Sequence, residues 1–519
     1  MFIDYLVLGL YILGMVAIAL YTKNRSKSVN DFVLAGKKGL NGWMSAFSYG
    51  TTYFSAVIFI GYAGKFGWSF GLASVWIGIG NAIFGGLVAW LLLAKRTKNM
   101  TIRLGARTMP EFFEKRYGNS KSLKIISALI VFIFLIPYAS SVYNGLGNLF
   151  EMIFGIDGTV VVIVLAGITA LYLIFGGYFA TSLSDFVQGI VMLVGVVIMF
   201  VFFFTNENVN SFEGLKELSN NGFGFFTEYG DAGFLNSPLI MLLSLVMLTS
   251  LGVYGLPQTV HKYYSVRDKK AINQGMVITM IFALIIGFVA YFVGGLGHLF
   301  FDSTTEFGGN TDNIIPNMLI TVIPKGLLGL IGVLILSASM STLASVSLSS
   351  ASVLSIDLYK GAINKEASDK KVTLIMRIMC FFFVVLSVII ALLNKKFNIT
   401  AIAYLMSLSW GTLSGCFFGP FVLGLYNKKI TKAGAMSSIV GGLVFTVVFT
   451  VVFGAIQCGG FGLGLGEVLK AGVALSPLTG VLCMIFSCLI TLGVSAFTKK
   501  LDDSVISEAF EKEVENLIK

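Results

Sequence analysis

Between Ser337 and Ser355, nine serines and Thr342 place ten hydroxyls in nineteen residues. The segment lies inside an apolar stretch long enough to cross a bilayer, where hydrocarbon offers hydroxyls no water. Two arrangements make such a helix stable. Small residues let it pack tightly on a neighbour, or its hydroxyls face something polar. The polar species that suits them is a cation without its water shell, because hard cations take hydroxyl and carbonyl oxygens. Ala338, Ser341, Thr342 and Ser345 recur at i, i+3, i+4 and i+7 and share one helix face. Ser339, Val346, Ser350 and Val353 lie on another face and read as packing, as do Ser347, Ser349 and Ser352. Spacing alone leaves packing and ion binding equally open.

A cation such as Na+ needs more oxygens than one helix face supplies. Broken membrane helices provide them, because their carbonyls lose their helical partners. Two stretches have that character. Ser48-Tyr49-Gly50-Thr51-Thr52-Tyr53-Phe54-Ser55-Ala56 is a polar patch in mid-span, and Thr249-Ser250-Leu251-Gly252-Val253-Tyr254-Gly255-Leu256-Pro257 is interrupted by glycine and ends in proline. The stretch Thr51 to Ser55 is the expected partner of the hydroxyl helix, with two hydroxyls and three carbonyls making five ligands. Asp185 is an intramembrane acid, which marks a functional site unless the side chain reaches water at the membrane edge. His261 and Lys262, just beyond the second break, read as interface anchors. His298 reads as structural, and Pro137 as a bend in its helix.

The elements that must hold these residues are membrane helices. Of 519 residues, 56% are hydrophobic and 12% charged, about half the charge of a soluble domain. Apolar runs of about twenty residues predict thirteen spans: 3–22, 43–63, 70–94, 123–146, 158–175, 183–204, 236–256, 276–300, 325–356, 372–393, 400–425, 433–454 and 474–496. The net charge of +10 is topological. With the N-terminus outside, thirty of the 36 Lys and Arg fall in loops on the inner side, including Lys23 to Lys38, Lys95 to Lys124, Lys262 to Lys270 and the tail from Lys499. The expected location is the cell membrane, N-terminus outside and C-terminus cytoplasmic. The partners expected are the lipid bilayer, an ion and a small solute, with no nucleic acid. The first span, with Asp4 at its start and no basic leader, does not read as a cleaved signal. The five cysteines lack metal-ligand spacing and read as apolar packers. With no phosphate-binding loop, His cluster or Ser/His/Asp set, the chain reads as neither an enzyme nor an ATP-driven pump.

Placement of the two breaks, five spans apart, suggests inverted repeats. The expected organisation is an N-terminal helix and cytoplasmic loop (1–42), a first five-helix repeat (43–204), an extracellular loop (205–235), a second repeat (236–426), two C-terminal helices (427–498) and a tail (499–519). In the tail, Val505, Ile506, Phe510, Val514, Leu517 and Ile518 have helical spacing.

Four separated stretches resemble the sodium/solute symporter family: Thr108 to Tyr117 continuing into Ile125 to Leu129, Gly176 to Gln188, Met340 to Leu343 ending in Asp357 to Lys360, and Gly419-Pro420. Each motif is weak alone, but their order and spacing are specific, and the likeness covers roughly residues 2–500. The resemblance implies an all-α membrane protein of the leucine-transporter type, with two inverted five-helix repeats, one helix before them and two after. It implies Na+ as the coupling ion, held by backbone oxygens of Thr51, Phe54 and Ala338 and the hydroxyls of Ser341 and Thr342. Some members carry a second Na+ site, which Asp185, Ser341 and Ser345 match here, although Ala344 stands where a further serine would be. The solute is expected beside Thr52, Tyr53, Ser55 and Ala56, facing the seventh span at Thr249 and Tyr254. Proline-transporting members carry an acid where Tyr53 stands and Trp where Val57 stands. Pantothenate carriers share Gly255-Leu256-Pro257 and carry Arg where Lys262 stands. The function implied is Na+-coupled symport of a small organic solute: an amino acid such as proline, or a monocarboxylate or pantothenate-like anion. The rival reading is a transporter-like membrane sensor acting through a separate partner.

Overall fold

The computed structural model describes residues 2–22, 28–34, 39–230, 233–397 and 401–511. Lys23, Arg25, Lys27, Lys37 and Lys38 of the expected inner loop, and Val514, Leu517 and Ile518 of the tail, lie outside the described residues. The principal helices are α1 (Phe2–Thr22), α2 (Gly42–Tyr53), α3 (Val57–Leu104), α4 (Lys121–Phe154), α5 (Gly158–Leu171), α6 (Gly176–Phe204), α7 (Pro238–Tyr254), α8 (Pro257–Tyr264), α9 (Lys269–Leu299), α10 (Leu328–Ile363), α11 (Asp369–Phe397), α12 (Ile402–Tyr426), α13 (Lys432–Gln457) and α14 (Ser476–Phe497). Among the described residues, ten helices are long and apolar enough to cross a membrane, or eleven if the bent pair α7 and α8 is one span. The expected thirteen is therefore approximate. The second span is divided between α2 and the start of α3, and the fifth, α5, is a short apolar helix.

Local chemistry sets where these helices begin. Asn41 caps α2 by accepting from the Met44 amide at 2.9 Å, and Asp268 caps α9 by accepting from Ala271 at 2.7 Å. α7 and α8 each open on proline, whose missing N–H costs nothing in a first turn. Gly71 turns the chain within α3 at φ +57°, and a Cβ there would sit 2.4 Å from the Phe223 carbonyl oxygen, so both backbone conformation and close approach require glycine.

α10, the hydroxyl helix, is the axis of the bundle. In its most apolar window 94% of residues are buried, against 22% in α1 and 33% in α11, α13 and α14, which turn their Leu, Ile, Val and Phe side chains toward lipid. Its neighbours include α1, α2, α4, α6, α8 and α11. Nine of the ten hydroxyl residues are therefore buried in protein, and Ser349 is partly exposed. α9 packs against both α2 and α3. At Gly78 it comes so close that a Cβ would lie 2.5 Å from the Gly287 carbonyl carbon.

Stretches separated in sequence meet at the end of the bundle that carries the basic loops. Arg116, from the short helix Met109–Arg116, donates to the Gly424 and Asn427 carbonyls at 3.0 Å each, and the Tyr117 hydroxyl donates to Pro420 O at 2.5 Å. Lys124 lies 2.8 Å from Glu114 and 3.8 Å from the fully buried Asp357. In the tail, a helix over Asp503–Phe510 carries Val505, Ile506 and Phe510.

Candidate functional site

The helical pattern of α2 stops at Tyr53. Phe54 is extended (φ −107°, ψ 120°) and fully buried, and helix resumes only at Ala56. Carbonyls just before the break lack helical partners, and α10 lies against them. Ser341 Oγ donates to Thr51 O at 2.8 Å and approaches Ala338 O at 3.0 Å. Thr342 Oγ1 lies 3.2 Å from Thr51 O, 3.3 Å from Thr52 O and 3.1 Å from Ala338 O. Thus the hydroxyls of Ser341 and Thr342 are brought together with the carbonyls of Thr51, Thr52 and Ala338, whereas Phe54 lies at the break itself. Mixed neutral oxygens of this kind suit a small hard cation. Ser339, expected only to pack, has a polar role: its Oγ accepts from the Ala56 amide at 3.2 Å and so caps the restart of the helix.

One turn along the same pair of helices the chemistry changes. Asp185 on α6 is fully buried and does not reach water. The Ser48 hydroxyl donates to Asp185 Oδ2 at 2.5 Å. Thr52 Oγ1 lies 2.8 Å from Ser345 Oγ. Lys262 Nζ points into this group, 2.9 Å from Ser48 Oγ, 2.8 Å from Ser345 Oγ and 3.5 Å from Asp185 Oδ2. Lys262 is 2% exposed, so its reading as an interface anchor in an inner loop is corrected. α8 continues from α7 at a bend of 42° and packs against α2, the end of α3 and α10. His261 is likewise buried, with its ring against Tyr178 at 5.2 Å. His298 stacks between Trp68 and Phe223, with centroids 4.0 and 3.7 Å away, a structural position.

The residues expected to line a solute site divide. Tyr53 bridges the two breaks: its hydroxyl donates to Thr249 O at 2.6 Å, and its ring stacks on Trp410 at 5.9 Å. The Thr249 hydroxyl reaches Asn81 Oδ1 at 2.7 Å. Ser55 and Ala56 sit in the break, where Ser55 Oγ accepts from the Val57 amide at 3.3 Å. Thr52 instead faces Ser345. Tyr254 donates to Phe84 O at 2.9 Å and stacks on Phe418. Sequence reasoning missed three residues here. Trp410 and Tyr138 form an edge-to-face pair at 5.7 Å, and the buried Tyr138 hydroxyl, Trp410 indole nitrogen and Asn81 amide nitrogen have no hydrogen-bond partner. Buried polar groups left this way call for a ligand or water. Asn81, a lone amide inside an apolar run, was the available signal.

At the opposite end of the bundle from the basic loops, a cavity of about 420 Å³ is lined by Asn144, Asn148, Glu151, Asp312, Asn313 and Lys395, among others. The loop carrying Asp312 clips the start of α12: Asp312 Oδ2 accepts from the Ile402 amide at 3.2 Å, and Asn148 Nδ2 donates to Asp312 O at 2.9 Å. Burial pushes the Asp312 carboxyl up to about 6, against the opposing pull of the Ile402 N–H and the Lys65 charge.

Comparison with known proteins agrees with this architecture. The chain superposes on a substrate-bound, outward-open Na+-coupled sialic acid symporter with a TM-score of 0.75, covering 97% of this chain and 99% of that one at 18% identity. It also superposes on Mhp1, a nucleobase-cation-symport-1 transporter, at 0.50, covering 92% and 97% with 14% identity. These likenesses show the fold, the leucine-transporter type. In sequence, the chain is 30% identical over 444 residues to a sodium/proline symporter of Haemophilus influenzae, covering 84% of this chain and 86% of that protein. It is 29% identical over 444 residues to the osmoregulated proline transporter OpuE of Bacillus subtilis, with the same coverage. These relatives and neighbours are transporters, not enzymes. Residues 32–442 match the profile of the sodium:solute symporter family, and this multi-pass membrane protein belongs to that family.

Proposed function

We propose that the protein imports a small organic solute together with Na+ by alternating access, and that L-proline or a chemically similar small amino acid is the first solute to test. The observation that carries this reading is the meeting of Ser341 and Thr342 with the free Thr51 carbonyl at the break of the second span. Na+ held there by Thr51, Phe54, Ala338, Ser341 and Thr342 ties α10 to α2 and favours the outward-open form. Solute then binds at Tyr53, Ser55 and Ala56, against Thr249 on the seventh span, with Trp410 and Tyr138 as the aromatic wall. Each ligand favours the conformations that the other favours, so Na+ tightens solute binding and solute tightens Na+ binding by the same factor. Loss of Na+ to a low-sodium cytoplasm releases the solute inside. The expected orientation, with the basic loops on the cytoplasmic side, sets the direction. The choice of proline rests on the proline transporters among the relatives, at 29% and 30% identity.

The test is uptake of radiolabelled L-proline into proteoliposomes under an imposed inward Na+ gradient, with unlabelled amino acids, monocarboxylates and pantothenate as competitors. Uptake driven by Na+ and lost in choline supports the reading. Uptake of any competitor-sensitive solute that proceeds equally without Na+ sinks it.

A further inference from the structure

Lys262 occupies a position built as an ion site. Its ammonium has three protons and finds three acceptors: Ser48 Oγ at 2.9 Å, Ser345 Oγ at 2.8 Å and Asp185 Oδ2 at 3.5 Å. Those oxygens come from α2, α6 and α10, and the lysine itself comes from α8. Asp185 Oδ1 remains buried without a hydrogen-bond partner, so the carboxylate has capacity beyond the contacts it makes. Ser345 lies one helical turn from Ser341, as Thr52 lies one turn from Ser48. The lysine position therefore repeats, one turn along the same two helices, the pairing of α2 with α10 that gathers the Thr51, Ser341 and Thr342 oxygens. The difference is a carboxylate in the second oxygen set, and it is there that a positive charge sits.

We propose that the Lys262 ammonium is a tethered substitute for a second Na+, so that this transporter binds one Na+ per cycle rather than two. A free ion and an ammonium at this point do the same structural work. Each neutralises Asp185 and joins α2, α6 and α10 through shared oxygens. They differ in what happens next. An ion leaves to the cytoplasm and carries its charge and its concentration gradient into the coupling. The lysine stays with the chain. The Asp185–Lys262 pair is thus neutral throughout the cycle, and the concentrating power of transport is that of a single Na+. The proposal rests on the Na+-symport reading above, but it concerns a different set of side chains and is separable from it by counting ions.

The experiment measures radioactive Na+ bound per purified protein by equilibrium dialysis at saturation, which needs no knowledge of the solute. The expected counts are one for the wild type, two for Lys262→Met, and one again for Lys262→Met combined with Asp185→Asn. Lys262→Arg, which keeps a cation, stays at one. Two ions bound by the wild type, or no more ions in Lys262→Met than in the wild type, overturns the proposal. If the wild type binds none and Lys262→Met binds one, the symport reading fails while the role of Lys262 stands. Removing the lysine strands a buried carboxylate, so Lys262→Met is prepared in saturating NaCl, with Lys262→Ala as the second variant. Rescue of either fold by Na+ and not by choline supports the proposal. Failure of both in Na+, when the Asp185→Asn combination folds, overturns it.

Discussion

The Tyr53 hydroxyl donates to the Thr249 carbonyl at 2.6 Å, and this bond joins the break in the second span to the start of the break in the seventh. Each break on its own leaves backbone groups without helical partners, a costly state inside a membrane. Together they satisfy one another in part and leave the remaining oxygens and rings for ligands.

Tyr53→Phe tests that bond. It keeps the ring on Trp410 but strands the Thr249 carbonyl, a loss of about 1–2 kcal/mol. The expected result is a lower melting temperature and a weaker apparent affinity for the solute. Na+-dependent thermal stabilisation measured without solute stays as in the wild type. A parallel loss of Na+ stabilisation would place Tyr53 in the ion site instead.

Ser341→Ala with Thr342→Ala removes two oxygens that face the Thr51 and Ala338 carbonyls. With each hydrogen-bond-like contact to a charge contributing roughly 1.5–3 kcal/mol, apparent Na+ affinity should fall by more than about tenfold. Na+ titrations of thermal stability and of L-proline uptake both report it. An unchanged Na+ midpoint removes these hydroxyls from the site.

The Asp185–Lys262 pair predicts strong coupling. Asp185→Asn alone leaves a buried ammonium without its counter-charge and is expected to destabilise by about 3–5 kcal/mol. Replacing both residues, as Asp185→Asn with Lys262→Met, should recover most of that loss, because two uncharged side chains carry no charge to desolvate. A double-mutant cycle on melting in detergent measures it. Additive single effects would mean that the two side chains do not act as a pair.

Asp312 carries a pH dependence whose sign is opposite to that of an ion-paired carboxylate. Its folded value of about 6 lies above the ordinary 3.8, so the folded protein binds this proton more tightly than the unfolded chain does. The stability it contributes is fully present below about 3.8 and is lost as pH rises to about 6. The wild-type melting temperature should therefore fall with rising pH across that window, relative to Asp312→Asn. Equal slopes for the two proteins would contradict the burial of this carboxyl.

Hydropathy, the basic-residue pattern and the hydroxyl face of α10 were all legible in order along the chain. Such signals are local: a span needs about twenty apolar residues, and a face needs only the period of a helix. The motif stretches were legible in the same way. Their assembly at the Arg116, Tyr117 and Lys124 contacts was not, because those partners lie as far as 311 residues apart. The ten or eleven helices that qualify number fewer than thirteen because the end of the second span and the whole third span run on as one helix, Val57–Leu104, and because α5 is a short apolar helix.

Lys262 marks the boundary most sharply. By sequence it is a basic residue just past a proline, which reads as a membrane-edge anchor. Only the packing of α8 against α2 and α10 puts it inside the bundle, where Ser48, Ser345 and Asp185 from three other helices surround it. Likewise, the sequence named Ser341 and Thr342 as a hydroxyl face, but which carbonyls they meet was set by the crossing of α10 over the break at Phe54. Sequence alone determined the class of protein, the residue types on each helix face and the family, because periodicity and composition act within a few turns. The tertiary structure decided which charges and oxygens share a site, because that depends on how distant helices bend and cross.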